Sequence, residues 1–502
     1  MKKYIKEFIT LFLVILVSSS CANFLEEDPR DILSPTIFFN SDLEAKAAVN
    51  GLYVPLYDGS MYASYGLTKY YEYGADVIEP SREGGGVLRD CNDYLLDEDR
   101  DAGARDTWIQ LYKIIQDANI IIDRVTDNPN ITEQGNDQFL GETLFLRAFA
   151  YYHLTNIFGD VPYYRDNLSI DEVQVLPRYN KTLIRQDLIT DLQNAQNLLP
   201  SSYTQSEQGR PTSWAAATLM VKIHLILKDW QNARDKAVEV INSSPHQLLD
   251  NYEDIFDPNN EYNAENIFEI VFVKDLNPNI ITSIYSPRIR DEPRRSADRA
   301  ALTAALDDRN EGFTGYGLAV AKCGFVDVFP TDDLRRAMNI AEEYLGYELK
   351  FQYMPKMWNL DQINSPRENH GDNYIVFRLA DVYLMAAEAE NELNGPNNAY
   401  QYINKVRERA YEPDQPYTGM SQEEFRQAIY DERKWELGGE GHRRMDLVRW
   451  GILLDVIQNT RHCSYDPAAN IQPHHVLFPI PAEEILLNPA LLETDPTNNG
   501  YR

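Results

Sequence analysis

Positive charge is in short supply. The 502 residues carry 47 Lys and Arg against 78 Asp and Glu, a formal net charge of −31. Phosphate binding needs a basic footprint, so this balance argues against duplex nucleic acid and against a polybasic grip on anionic lipid. Cysteine is scarcer still. Cys21, Cys91, Cys323 and Cys463 are too few for a disulfide scaffold, and no two have metal-ligand spacing. No apolar run reaches the roughly 18 residues of a membrane-spanning helix. The signatures of catalysis are missing too. There is no GxxxxGK[ST], HExxH or GxSxG, and His474-His475 has no further ligand at metal spacing. Gly84-Gly85-Gly86 opens no clear helix, which disfavours a phosphate cradle. No cofactor, metal or catalytic residue is expected, although a glycosidase carboxylate pair is defined by separation in space and escapes such a screen.

What is present is ordinary globular material. Hydrophobic residues at 43% and charged residues at 25% rule out disorder over most of the chain. The length suits about three domains, or one large domain with insertions. The first residues read as an address: a basic Met1-Lys2-Lys3-Tyr4-Ile5-Lys6, then Phe8 to Val17, apolar except for Thr10. As a helix that run spans about 15 Å, half a bilayer core, so 1–20 is a signal peptide and not a span. Ser18-Ser19-Ser20-Cys21 follows. A bacterial lipoprotein signal needs that Cys because its thiol takes the lipid, so lipidation of Cys21 is expected, with plain secretion as the alternative. The stretch resembles a lipobox in which Ser18 replaces the usual Leu. The mature chain would be soluble but tethered. Residues 21–40, with Glu26, Glu27, Asp28 and Asp31, form an acidic leash.

Helix signals dominate the rest. Ser41-Asp42-Leu43-Glu44 and Ser421-Gln422-Glu423-Glu424 are capping boxes. Leu43, Ala47, Leu52 and Leu56 keep roughly helical spacing after the first. Trp108, Leu111, Tyr112, Ile115, Ala118 and Ile122 share one face of a second helix. Further helices are expected over 137–158, 181–199, 213–228, from 229 onward, 374–393, 397–410, 421–437 and 441–458. They come in short-linked pairs, so the fold class is mainly α: a solenoid like degenerate tetratricopeptide repeats, with irregular loop-rich insertions. The scaffold is assigned to 41–57, 105–245 and 374–460. The loops are 58–104 and 250–373, and 461–502 is a C-terminal segment. One strand is expected, at 267–272.

Tyrosine is plentiful, at 32 residues. Tyr53, Tyr57, Tyr62, Tyr65, Tyr70, Tyr71 and Tyr73 lie close together; the first two are expected in the core, the others in a loop-rich stretch. Exposed rings beside polar groups suit sugars, whose C–H faces stack while their hydroxyls hydrogen-bond. Arg288, Arg290, Arg294, Arg295 and Arg299 could hold a carboxylate or sulfate. Asp291, Glu292 and Asp298 are interleaved, and local pairing on a solvated loop is the plainer expectation.

Several stretches then read together. Gly141-Glu142-Thr143-Leu144-Phe145-Leu146-Arg147-Ala148-Phe149-Ala150-Tyr151-Tyr152 leads to Phe158-Gly159-Asp160-Val161-Pro162. Arg378-Leu379-Ala380-Asp381 precedes Asn404-Lys405-Val406-Arg407, Glu432-Arg433, and Gly441-His442-Arg443-Arg444-Met445-Asp446-Leu447-Val448-Arg449-Trp450. Phe478-Pro479-Ile480-Pro481 and Asn499-Gly500-Tyr501 close the series. In order and jointly they resemble the RagB/SusD family of outer-membrane nutrient-binding lipoproteins, with Asp381 where Glu is usual. Arg378, Asp381, Glu432, Glu436, Arg443, Asp446 and Arg449 are read as ion pairs of the scaffold, with Asp381 able to pair with Arg378 at i,i+3.

The resemblance implies a non-catalytic protein that captures an oligosaccharide, less often a peptide, and hands it to a SusC-type TonB-dependent transporter in the outer membrane. It also places the two loop regions near each other. A composite site is therefore expected from Tyr71, Tyr73, Asp76, Arg82, Asn92 and Tyr94 together with Tyr285, Phe313, Tyr316 and Phe325. A glycan hydrolase on a helical scaffold, and a repeat scaffold for protein partners, remain as alternatives.

Overall fold

Helix α1 (Asp42–Gly51) begins where Ser41, in extended backbone, takes the Glu44 N–H on its hydroxyl. The expected box is only half formed, because the Glu44 carboxylate receives the Asn40 N–H at 2.7 Å instead of that of Ser41. The buried face is Ala45, Val49 and Leu52, while Leu43 and Ala47 face solvent, so the inward stripe is displaced from the expected one. The computed structural model describes residues 39–81, 86–98, 100, 103–288, 298, 300, 301, 304, 315–359, 366–463 and 466–502. The expected signal peptide, Cys21 and most of the leash lie outside these residues, as do Arg290, Arg294, Arg295 and Arg299.

The helices that follow form one continuous stack. Helix α2 (Ala104–Val125) buries Trp108, Leu111, Ile115 and Ala118, the stripe expected from its spacing. Helix α3 (Glu133–Ile157) starts earlier than expected, at a Thr132 cap that accepts the Gly135 N–H at 3.1 Å. Every residue of α3 from Gly141 on is buried, as befits a helix enclosed on all sides. Gly141 is needed there, because a Cβ would stand 2.9 Å from Leu199 at the end of the next helix. That helix, α4 (Lys181–Leu198), packs on α3, α5 (Ser213–Ile226) on α4, and α6 (Trp230–Ser243) on α5. The next layer is α7 (Leu379–Asn394), which packs directly on α6 although residues 244–378 intervene. Helices α8 (Tyr400–Arg407) and α9 (Gln422–Leu437) complete the stack against α7. The α9 capping box forms in full: Ser421 accepts from Glu424 N, and Glu424 accepts from Ser421 N at 2.8 Å. The mainly helical, tetratricopeptide-like architecture is as expected.

Two helix expectations need correction. The single helix expected over 441–458 is two, α10 (Arg443–Trp450) and α11 (Leu453–Asn459). Gly451 ends the first in a left-handed conformation, φ 77°, which glycine adopts without strain. The helix expected from 374 begins only at Leu379, because the preceding five residues are a strand. A short helix also opens at Gly86 (Gly86–Asn92), where none was expected.

The strands tie loops to scaffold. They are β1 (Ile78–Pro80), β2 (Asn266–Ile270), β3 (Ala319–Ala321), β4 (Ala341–Tyr344), β5 (Tyr347–Tyr353) and β6 (Tyr374–Arg378). The expected strand near 267–272 is β2, and its antiparallel partner is β6, with Ile270 opposite Tyr374 and Asn266 opposite Arg378. This pair closes the neck of the insertion. Strands β1 and β3 join the 58–104 loops to it, and β4–β5 is a hairpin turning through Leu345 and Gly346, both at positive φ. Cys323 and Cys463, too far apart in sequence to suggest each other, form a disulfide that links the insertion to the C-terminal segment.

Candidate functional site

The base of the insertion is fixed by a buried seam of charge. Arg378, at the end of β6, donates to Glu440 (2.6 Å), Glu265 (2.9 Å) and Glu436 (2.6 Å). Arg335 donates to Asp333, Glu432 and Glu436, each at 2.7 Å. Arg409 bridges Glu265 and Glu436, Arg407 meets Glu432, and Lys356 meets Glu440 at 2.9 Å. Arg335, Arg378, Arg407, Arg409 and Lys356 thus face Asp333, Glu265, Glu432, Glu436 and Glu440, five cations against five carboxylates. Burial would raise the Glu436 pKa, but Arg409, Arg378 and Arg335 outweigh it and hold that carboxyl well below the usual range.

A second balanced knot joins α5, α7, α9 and α10. Asp381 takes Lys222 and Arg433, Asp446 takes Arg433 and Arg449, Glu388 takes Arg449, and Asp76 takes Arg443. The motif residues are ion-pairing scaffold residues, as expected. Arg378 and Asp381, however, serve different knots and do not pair with each other.

Most of the ring positions expected at a ligand face are core. Tyr71 is buried with its hydroxyl 2.5 Å from His153 Nδ1, and Tyr62 meets the other ring nitrogen at 3.1 Å. Tyr73 and Tyr285 are fully enclosed, and Tyr94 donates to the Gly74 carbonyl. Phe325 packs edge-on against Phe329. Asn92 donates to Asp93 at 2.9 Å. Asp76 belongs to the second knot, where burial would raise its pKa but Arg443 brings it to about 2. The reason is the all-round burial of α3: the 58–81 segment covers it and turns its tyrosines inward. Tyr53 and Tyr57, expected in the core, are half-buried at its edge. Arg82 and Phe313 lie outside the described residues. Among the expected rings that are described, Tyr316 alone keeps an exposed part; its hydroxyl donates to Glu368 at 2.7 Å, and Arg367 lies 5.3 Å over the ring.

At the base of the insertion is a recess of about 80 Å³. Lys356 and Glu440 of the charge seam line it, as do the rings of Phe256, Trp358 and Tyr374. Trp358 is half-buried, held by Nε1 donating to the Tyr285 carbonyl at 2.8 Å and by an edge-on contact with Tyr344 at 5.8 Å. Asp257, Glu261, Thr282, Asn359, Asp372 and Asn373 supply polar groups. Asp372 accepts from Thr282 at 2.8 Å and from Asn359, and Asn373 donates to Glu261 and Glu269, each at 2.8 Å. Burial pushes the Glu261 carboxyl up to about 7. Ser283, next in sequence to Thr282 of the recess wall, accepts from the Tyr316 N–H at 2.6 Å and donates to the Arg367 carbonyl at 2.7 Å. The half-buried rings of Tyr344, Tyr347 and Phe351 stand on the neighbouring hairpin. Among the described residues no three His, Cys, Asp or Glu side chains converge as metal ligands.

Sequence reasoning missed Phe256, Trp358 and Tyr374. One signal could have found them: each is an aromatic directly beside Asp or Asn, in Phe256-Asp257, Trp358-Asn359 and Asn373-Tyr374. That pairing sets a flat apolar face next to a short hydrogen-bonding group.

A sequence model of the SusD family matches residues 341–501, and a second, described as starch-binding associating with outer membrane, matches 23–225. SusD-like protein P25 of Formosa agariphila is 47% identical, over 99% of this chain and 100% of its own length. The starch-binding protein SusD of Bacteroides thetaiotaomicron is 24% identical over the whole of both chains. Among solved structures, a laminarin-binding SusD-like protein superposes with a TM-score of 0.74 at 23% identity, covering 89% of this chain and 98% of that one. Surface glycan-binding protein A from Bacteroides uniformis gives 0.75 at 21%, covering 92% and 100%.

Proposed function

Because this chain belongs to the SusD family, we propose that it binds a nutrient glycan at the face of the insertion and passes it, unaltered, to a SusC-type TonB-dependent transporter. The observation that carries this reading is the set of rings lining the recess, Phe256, Trp358 and Tyr374, beside Asp257, Asn359 and Asp372, with Tyr344 packed edge-on against Trp358. Stacking supplies affinity and the carboxylates and amides supply selectivity. The 80 Å³ recess takes a projecting hydroxyl edge, and the sugar rings lie across its mouth, an arrangement suited to release. The carboxyls nearest the recess are occupied in holding Asn373, Thr282 and Asn359, which supports binding over hydrolysis. Lipid on Cys21 would keep the protein at the outer membrane. The Cys323–Cys463 disulfide is consistent with export to an oxidising compartment.

The test is a glycan array followed by calorimetry. A glycan should bind, produce no new reducing ends, and bind more weakly to Trp358→Ala. Retention of full affinity in Trp358→Ala and Tyr316→Ala together would remove the site from this face. Anchorage is tested separately: Cys21→Ala should abolish fatty-acid labelling, and mild-detergent extracts of the native protein should retain a large β-barrel.

A further inference from the structure

A second cavity, of about 200 Å³, lies against the second charge knot, between α3, α4, α5 and α10. One water needs roughly 10–15 Å³ by this measure, so the space admits a polyatomic ion with several waters. Five cations line it: Lys181, Arg185, Lys222, Arg433 and Arg449. Three of them are neutralised. Lys222 and Arg433 meet Asp381, Arg433 and Arg449 meet Asp446, and Arg449 meets Glu388.

The other two are not. Neither Lys181 nor Arg185 has a carboxylate within salt-bridge distance among the described residues. Arg185 is buried, and one terminal nitrogen donates to the Thr155 carbonyl at 3.1 Å and to Asn156 Oδ1 at 2.9 Å, both neutral acceptors. Its Nε, also buried, has no partner among the described residues. The acid whose charge reaches both is Asp160, and one of its oxygens is taken by the Lys181 backbone N–H at 2.9 Å. Burial pulls the Arg185 pKa down to about 10 and lowers that of Lys181, whereas Arg433 and Arg449, which have acids, are shifted up despite burial. His442 adds no charge: burial, then Lys222, pushes its pKa down to about 3.

We propose that this cavity is an oxyanion site, in which Lys181 and Arg185 hold a sulfate, phosphate or carboxylate group. A buried cation with no counter-ion is costly unless an anion arrives, and a guanidinium and an ammonium lining one cavity are a suitable donor set for tetrahedral or planar oxyanions. The net charge of −31 does not prevent it, because charges beyond about 8 Å are screened at physiological salt while the two cations are local. The Tyr152 hydroxyl, kept protonated by burial, is a further donor at the wall.

The proposal is independent of the glycan reading, since inorganic sulfate probes it alone. The full mature chain is titrated with sodium sulfate at fixed ionic strength, with chloride as the control. Saturable binding is expected, weakened roughly tenfold by Lys181→Gln and abolished by Arg185→Gln. Lys181 is only half-buried, so its variant decides the matter if Arg185→Gln fails to fold. Glucuronate against glucose separates the sources: glucuronate binding that is sensitive to Lys181→Gln marks a sugar-borne carboxylate, and sulfate binding alone marks a free ion. A thermal shift that never saturates and is equal in wild type and both variants, or binding by none of these anions, overturns the site.

Discussion

The seam under the insertion and the recess above it share Lys356 and Glu440, yet they use polar groups in opposite ways. In the seam, five cations and five carboxylates consume one another out of reach of water, and the product is position: the insertion base is locked to α9. At the recess, comparable groups stand at the edges of rings that keep part of their surface uncovered, and the product is availability. Polar groups serve structure alone where they only satisfy one another, and offer a candidate binding face where they stand beside rings that keep part of their surface uncovered.

The sharpest way to break this contrast is Glu436→Gln. It leaves Arg335, Arg378 and Arg409 short of a buried partner, and removal of one partner from such a pair costs about 3–5 kcal/mol. Urea denaturation should show that loss; a loss under about 1 kcal/mol would mean that the seam is incidental.

Glu72 separates satisfaction from burial. It is fully buried, accepts the Gly441 and His442 N–H groups on one oxygen, and leaves the other without a partner among the described residues. Burial raises its pKa to about 7. The folded chain therefore holds a proton that the unfolded chain releases near pH 4.5, and stability falls as pH rises through the window from about 4.5 to 7. Glu72→Gln should match wild type at pH 4 and exceed it by about 1–3 kcal/mol at pH 8. Equal thermal stability at both pH values would contradict the assignment.

Trp358→Ala should reverse the seam's pattern. Affinity for the glycan falls by about 1–3 kcal/mol, the range of a central contact, while the denaturation midpoint falls by less than in Glu436→Gln. A change in the midpoint as large as that of Glu436→Gln would erase the distinction. The smallest effect is expected at Ser421→Ala, which removes half of the α9 capping box on the solvent side of the seam and should cost about 0.5–2 kcal/mol with no change in binding.

The helical stack was legible because its signals are local. Ser421 and Glu424 are three residues apart, and the Trp108–Ala118 stripe repeats every turn. Strand β6 was not, because Tyr374–Arg378 becomes a strand only when Asn266–Ile270 arrives from far along the chain, and an apolar run leading into a helix looks like helix until then. The burial of five of the expected rings, Tyr71, Tyr73, Tyr94, Tyr285 and Phe325, escaped sequence reading for a related reason. Tyr71 and Tyr73 sit in a turn-rich stretch that reads as exposed, but α3 needs cover on every side, and no property of the stretch itself reveals that demand. The seam residues were recognised as ion-pairing, yet the partners of Arg378, namely Glu265, Glu436 and Glu440, lie too far away in sequence for helical spacing to find.

The neck made by β2 and β6 has a consequence for how such a protein changes over time. It sets the two ends of the insertion side by side, so α6 and α7 meet the same pair of anchor points whatever lies between them. Doubling the length of a closed loop costs only about 0.6 kcal/mol. Lineages carrying this chain can therefore lengthen or shorten the turns of the insertion that lie between its fixed points, Glu265, Asp333, Arg335, Lys356 and Cys323, while the helical stack stays as it is, much as one handle accepts many blades.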